Sequence, residues 1–129
     1  MTDSPPEDKV TESTLKAIQH FNDAFNGHDV DAMMAAMAED GVFENTYPPP
    51  DGERYEGQAA VRTFWERFFA SSPRASFETE ETFACGDRCV VRWLYRWVER
   101  DGRPGHVRGV DVFRVRAGRV AEKLSYVKG

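Results

Sequence analysis

The second half of the chain constrains the fold most strongly, because it reads as a series of strands separated by turns. Residues alternate between apolar and polar in four segments, which are 77–84, 89–100, 106–116 and 119–127. Turn sequences separate the four segments, namely Cys85-Gly86-Asp87-Arg88, Asp101-Gly102 and Ala117-Gly118. Alternation with period two is typical of strands that bury one face, and tight turns join antiparallel neighbours. The pattern therefore predicts an antiparallel meander with no βαβ unit.

Helical spacing of apolar residues marks three segments before residue 71. We expect Thr14 to cap the first helix and Gly27 to end it, while the second runs from Asp29 or Asp31 to Gly41. The apolar positions of these two helices are Leu15, Ile18, Phe21, Ala24 and Phe25, then Val30, Met33, Met34 and Met37. Two short helices joined by a turn of a few residues predict a helical hairpin.

A strand and a third helix complete the predicted order. Residues 42–47 alternate as a strand does, and the proline-rich residues 48–52 form a loop because proline cannot continue a ladder. A third helix follows over residues 58–70. The predicted order is α-α-β-α-β-β-β-β, which is an α+β fold with one antiparallel sheet.

Length and composition limit the classes of function. A chain of 129 residues makes one domain, for which we expect a flexible tail at residues 1–12 and a folded unit over residues 13–129. The net charge of −5 argues against nucleic-acid binding, and no apolar run approaches the ~20 residues that span a membrane. The start of the chain is acidic and proline-rich and does not predict a signal peptide. With only two cysteines, which we expect as free thiols, we expect a cytoplasmic protein.

Several local motifs, in this order and spacing, resemble the nuclear-transport-factor-2-like superfamily and its SnoaL-like and ketosteroid-isomerase-like branch. These motifs are Phe25-Asn26-Gly27-His28-Asp29-Val30-Asp31, Ala38-Glu39-Asp40-Gly41-Val42-Phe43-Glu44-Asn45, Tyr55-Glu56-Gly57-Gln58-Ala59-Ala60-Val61, and residues 109–120. The resemblance covers residues 13–127 and implies a strongly curved antiparallel sheet, wrapped by three helices into a cone around an apolar pocket. It also implies a homodimer, and the mixed apolar and arginine outer sheet face favours the same interpretation.

Asp111 is the strongest candidate for a catalytic residue. It shares one strand face with Val107, Gly109, Phe113 and Val115, so a carboxylate points to the apolar side of the sheet. A buried carboxylate needs a hydrogen-bond partner or a cation, or it stays protonated, and such tuning is typical of catalytic acids and bases. A structural aspartate with satisfied hydrogen bonds is the alternative.

The resemblance also sets limits on the activity. Asp111 falls where ketosteroid isomerases carry a protonated aspartic acid. Their general-base aspartate corresponds to Asn45 and their oxyanion tyrosine to Phe21. An amide cannot abstract a proton and phenylalanine cannot donate a hydrogen bond, so ketosteroid isomerisation by that mechanism is excluded. Asn45 could instead orient a substrate carbonyl or a water, or it could tie down the adjacent loop.

The side of the sheet that Lys123 occupies depends on the last turn. A three-residue loop would pair residue 111 with 123, and a two-residue loop would pair it with 124 and turn Glu122 and Leu124 to the face of Asp111. The resemblance favours an inward Lys123. An Asp111–Lys123 pair could be an acid/base couple or a plain salt bridge.

The predicted function is a cofactor-free isomerase, cyclase or hydratase acting on a small hydrophobic carbonyl compound, with Asp111, Asn45 and Lys123 as catalytic candidates. No metal-ligand spacing links the histidines and cysteines, so we expect no metal and no cofactor. Aromatic and other large side chains would bind the substrate, namely Phe21, Phe43, Tyr47, Trp65, Phe68, Trp93, Tyr95 and Phe113. The alternative is a non-catalytic module of the same fold for ligand binding or dimerisation.

Overall fold

The computed structural model describes residues 6–74 and 76–129, which form three helices and one sheet of six strands. The helices are α1 (Pro6–Asn26), α2 (Val30–Ala35) and α3 (Gln58–Ser71). The strands are β1 (Met37–Glu44), β2 (Arg54–Glu56), β3 (Ser76–Cys85), β4 (Arg88–Val98), β5 (Pro104–Arg116) and β6 (Arg119–Val127). The helices pack on the curved, unclosed sheet, so the expected α+β cone is confirmed.

The sheet is mixed, which corrects the prediction of a purely antiparallel one. Its strand order is β2-β1-β6-β5-β4-β3, and β1 runs parallel to β6, with Phe43 beside Lys123. The predicted meander from β3 to β6 is confirmed as antiparallel. Strand β2 was not predicted because three residues are too short to show a period, and it pairs with β1 through Tyr55 and Phe43.

The boundary between α2 and β1 lies earlier in the chain than the sequence predicts. Helix α2 ends at Ala35, not at Gly41, and β1 covers Met37–Glu44 in place of residues 42–47. The apolar spacing misleads here because Met37 is buried in the same core as the helical methionines although it lies in a strand. Gly41 is needed for close packing, since a Cβ there would lie 2.6 Å from Cγ of Met37.

Helix α1 begins at Pro6, so residues 6–12 are helical and not the flexible tail that we expected, whereas residues 1–5 lie outside the described residues. Thr14 does not cap the helix. Its buried hydroxyl donates to the Gly86 carbonyl at 2.7 Å, and the Gly86 amide donates to Thr11 Oγ1 at 2.8 Å. These bonds hold the start of α1 against the β3–β4 turn. They are polar, so the absence of apolar spacing in residues 6–12 gave no sign of them.

The core lies between the helices and the concave face of the sheet. Its fully buried large side chains are Ile18, Phe21, Met33, Met34, Met37, Phe43, Val61, Phe113 and Val120. The outer face instead carries ion pairs between neighbouring strands, such as Arg92–Glu81 at 2.9 Å and Arg114–Glu122 at 3.1 Å. In the described ranges, no helix combines the length and the apolar character that crossing a bilayer requires.

Candidate functional site

A β-bulge in the last hairpin sets the direction of Lys123. The hairpin has a two-residue turn, in which Ala117 and Gly118 take positive φ angles of 52° and 76° and Arg116 pairs with Arg119. The register then shifts between Arg114 and Val115, which leaves Ala121 as the extra residue. Both registers considered from the sequence are therefore wrong, because Asp111 pairs with Ser125.

The bulge turns Lys123 inward despite the two-residue turn. Lys123 pairs with the buried Phe113, and its side chain is only 7% exposed. The Val115 amide donates to the Asp87 carbonyl at 2.9 Å, so the shift leaves that donor satisfied. One extra residue flips every following side chain of a strand, and here it places an ammonium group on the concave face.

Asp111, Lys123 and Ser125 form a hydrogen-bonded triad. Nζ of Lys123 lies 3.2 Å from Oδ2 of Asp111 and donates to Oγ of Ser125 at 3.2 Å. The Ser125 hydroxyl in turn donates to Oδ1 of Asp111 at 2.6 Å. Both charged side chains are at least nine-tenths buried, so each has the other as its nearby counter-charge away from solvent. Ser125 was not singled out in the sequence; its spacing of two from Lys123 on one strand was the available signal.

Aromatic rings lie close to the Lys123 ammonium in addition to the triad. Nζ lies 4.9 Å from the ring centre of Phe43, 5.2 Å from Trp65 and 5.9 Å from Phe25. Such rings attract a cation through their quadrupole and exclude water at the same time. With Phe113 at 6.0 Å, the ammonium thus has one carboxylate, one hydroxyl and four aromatic rings around it.

A cavity of about 690 Å³ opens beside the triad, and Asp111, Lys123 and Ser125 all line it. Its floor is a series of inward residues on β4, and their exposure rises from Val91 and Trp93, which are buried, to Tyr95 and Trp97, which are half-buried. The triad therefore lies at the inner end, since Val91 pairs with Asp111. The volume falls within the ~300–1,000 Å³ of ligand sites.

Glycine makes room for one aromatic side chain of the floor. Trp93 pairs with Gly109 on β5, and a Cβ on Gly109 would collide with the indole ring of Trp93 and with the Tyr126 carbonyl oxygen. The indole ring therefore lies over β5 at Gly109, two residues from Asp111. This arrangement gives the cavity an apolar floor beside the triad.

The structure brings most of the predicted substrate-binding residues to the cavity. Phe43, Trp65, Phe68, Trp93 and Tyr95 line it, together with Phe25, Phe64 and Phe77, which the sequence did not single out for this role. Phe21 and Phe113 do not line it, because both are completely buried in the core with their rings in edge contact at 6.2 Å. Tyr47 is 71% exposed on the β1–β2 loop and also lies outside the lining.

Asn45 lines the cavity, and it also ties down the loop next to it. Its Nδ2 donates to the Tyr47 carbonyl at 3.4 Å, and its backbone amide donates to the Glu53 carbonyl at 2.9 Å. The two interpretations of Asn45 are compatible, because one amide hydrogen bond leaves the side-chain oxygen for a ligand.

The two cysteines lie apart from this chemistry. Cys85 is exposed and Cys89 is buried, and neither forms a disulfide. Burial raises the pKa of the Cys89 thiol to about 11, so it stays protonated and unreactive at neutral pH. Among the residues described, no three His, Cys, Asp or Glu side chains cluster as metal ligands would.

Comparison with known proteins identifies the family. The family model for the SnoaL-like domain matches residues 18–123. The chain belongs to the SnoaL-like domain family. A search of curated proteins finds no match to this SnoaL-like chain.

Solved structures agree with this assignment. An NTF2-like protein of unknown function from Mesorhizobium loti is 41% identical, with a TM-score of 0.81 and all of both chains covered. A protein from Mycobacterium tuberculosis in complex with estradiol-17beta-hemisuccinate is 28% identical, with a TM-score of 0.74 over 88% of this chain and 92% of its own. TerC co-crystallized with polyporic acid shares the fold at 17% identity, with a TM-score of 0.76 over 90% of this chain and 92% of its own.

Proposed function

We propose that this SnoaL-like domain is a cofactor-free enzyme that moves a proton on a small hydrophobic carbonyl compound. The observation that carries the proposal is the buried Asp111–Lys123–Ser125 triad in the wall of an apolar cavity. A buried ion pair adds little to the stability of a fold, because desolvation offsets much of its attraction. A stabilising role therefore does not by itself explain this pair. Two structural relatives were crystallised with small hydrophobic molecules, which supports the same class of ligand.

Asp111 is the general base in this proposal. The Lys123 ammonium and the Ser125 hydroxyl hold its two oxygens in place in the cavity wall, where a substrate C–H can reach them. The carboxylate removes a proton from the carbon next to the carbonyl, and the C–H electron pair becomes the double bond of an enolate. The same residue then returns the proton to carbon, and its return to a different carbon is an isomerisation.

Lys123 and Asn45 act on the carbonyl oxygen. The Lys123 ammonium is fixed within a water-poor aromatic surround, so it stabilises the negative charge that develops on the enolate oxygen without reorganising. Asn45 lies in the cavity wall and orients the same end of the substrate through its amide. Ser125 is a positioning residue, because it holds the Asp111 carboxylate through Oδ1.

Ligand binding without catalysis is the second candidate function. It is favoured by one specific feature, which is that Asp111 and Lys123 satisfy each other in the absence of a substrate. In that case the triad is a structural ion pair and the cavity only holds a ligand.

Exchange of α-protons tests these two functions without knowledge of the natural substrate. A hydrophobic ketone, 4-acetylbiphenyl, is incubated with the protein in D2O, and loss of the acetyl proton signal is followed by NMR. We expect the wild type to accelerate exchange and Asp111→Asn to lower the rate about 100-fold or more. Lys123→Met lowers it by a similar factor through the lost charge stabilisation.

A matched variant on the outer face controls for general effects. Arg92→Met removes a cation from the exposed pair with Glu81 on the same sheet, and we expect no change in exchange. Ketone binding with no exchange in the wild type, or exchange that Asp111→Asn leaves intact, contradicts the catalytic proposal. The first of these results supports the binding function.

A further inference from the structure

The charged side chains that line the cavity are paired with each other at its inner end and are not paired with each other at its mouth. At the inner end, Asp111 and Lys123 neutralise each other. At the mouth, Arg74 and Glu99 line the opening together with amides and hydroxyls. Glu99 accepts the Trp97 indole N–H at 2.9 Å. Arg74 is exposed, and of the side chains that the structure describes none bonds or pairs with its guanidinium.

The neutral inner end disfavours a charged ligand group. A carboxylate placed beside Lys123 would also lie against Asp111, because the two side chains are 3.2 Å apart, and two buried carboxylates repel. The inner end therefore accepts an uncharged oxygen. An anionic group is favoured only at the mouth, where Arg74 has five N–H donors without a partner.

Other hydrogen-bond donors in the cavity lining also lack partners. Asn22 and Asn26 lie one helical turn apart on α1, both line the cavity, and neither side chain has a hydrogen-bond partner among the described residues. Ser72 lines the cavity close to Arg74 in the segment after α3. Carboxylate oxygens accept hydrogen bonds from all of these groups.

The register of the sheet gives the separation of the two ends. Asp111 pairs with Val91 on β4, whereas Ser76, two residues after Arg74, pairs with Arg96. Five residues of strand separate these levels, which corresponds to about 17 Å at ~3.3 Å per residue. The long arginine side chain covers part of this distance, so the remaining space suits a rod of about two or three rings.

We infer that the ligand is an elongated hydrophobic keto acid, with the ketone oxygen inward at Lys123 and a carboxylate outward at Arg74. The ketone end rests on the proposed function, and the carboxylate end rests on the mouth of the cavity alone. The aromatic floor between the two ends holds the rings. Arg74 is thus a specificity-determining residue for the acid.

Two probes of equal length separate charge from shape. They are 4′-acetylbiphenyl-4-carboxylate and its methyl ester, and the dissociation constant of each is measured by tryptophan fluorescence. We expect the wild type to prefer the acid, and Arg74→Gln to weaken the acid about three- to fivefold while leaving the ester unchanged. Added salt weakens the acid and not the ester, because the mouth is exposed to solvent.

Two further variants test which end of the ligand lies at Lys123. Arg100→Gln removes an equal charge in the β4–β5 turn, outside the cavity lining, and we expect it to change neither dissociation constant. Lys123→Met weakens acid and ester by the same factor, since both present a ketone to it. A loss of acid preference in Lys123→Met but not in Arg74→Gln means the reverse orientation and overturns the inference, as does equal or absent binding of the two probes.

The failure of this inference is distinguishable from failure of the proposed catalysis. If Arg74→Gln changes the acid-to-ester ratio and no variant affects α-proton exchange, the ligand class holds and the catalytic role does not. If exchange depends on Asp111 and the ratio is insensitive to Arg74, the catalytic role holds and the inference is overturned.

Discussion

The coupling between Asp111 and Lys123 can be measured as a difference in folding free energy. The side chains are 10% and 7% exposed, so loss of one partner leaves the other buried without its counter-charge. Removal of one member of a buried pair costs about 3–5 kcal/mol. We take the lower end for Lys123→Met, about 3 kcal/mol, because Asp111 keeps its 2.6 Å hydrogen bond from Ser125.

The reverse substitution should cost less. In Asp111→Asn the ammonium keeps the amide oxygen as an acceptor and keeps the rings of Phe43 and Trp65. We expect a loss of about 2 kcal/mol. The double variant buries no charge and should lose only about 2 kcal/mol, whereas the two single losses sum to about 5 kcal/mol. The coupling energy is then about 3 kcal/mol.

Urea unfolding followed by circular dichroism and tryptophan fluorescence gives these values. With a slope of about 1.5 kcal/mol per molar, typical for this size, Lys123→Met moves the midpoint by about 2 M. Arg92→Met, which breaks the half-exposed pair with Glu81, is the matched control and should leave the midpoint unchanged within error. Additive single losses, or a Lys123→Met shift no larger than that of the control, would refute the buried and coupled pair.

Three further predictions concern packing, thiol chemistry and assembly. Gly109→Ala should destabilise the fold by about 1–3 kcal/mol and change the fluorescence of Trp93, because the new methyl group meets a backbone carbonyl and the indole ring. Gly27→Ala is the control and should not destabilise the fold, because its nearest contact would lie at 3.6 Å. Iodoacetamide at pH 8 should label the exposed Cys85 and spare the buried Cys89, because the raised pKa of Cys89, about 11, keeps its thiol protonated. Labelling of Cys89 should appear only as the pH rises towards 11, and mass spectrometry locates the label. The chain should sediment as a dimer at micromolar concentration through the outer sheet face, and a monomer there would contradict that prediction.

Alternation along a strand was enough to predict that Asp111 points inward. The rule that neighbouring residues face opposite sides holds within β5, and Asp111 and Phe113 are both buried as it requires. The aromatic floor on β4 follows from the same rule, since Trp93 and Tyr95 alternate with Arg92, Leu94 and Arg96 on the opposite face. Long, regular strands thus yielded correct faces from the sequence alone.

Contacts between distant segments could not be predicted in the same way. The parallel pairing of β1 with β6 joins residues about eighty positions apart, and no local pattern encodes it. Spacing places Phe21 on the apolar face of α1, but its place in the closed core and not in the cavity wall depends on where α1 packs. The pairing of Asp111 with Ser125 depends on the bulge at Ala121. The residues Ala117-Gly118 predict the turn but not this bulge.

The extra residue at Ala121 has a consequence for comparing this chain with its relatives. If the same residues paired without the bulge, Glu122 and Leu124 would meet the concave side, and Lys123 would lie among the ion pairs on the convex side. A relative of the same length that closed this hairpin without the bulge would therefore place an anion where this chain places a cation. An ungapped alignment with such a relative equates an interior side chain with a surface one, so identity at Lys123 carries information only after the bulge has been matched.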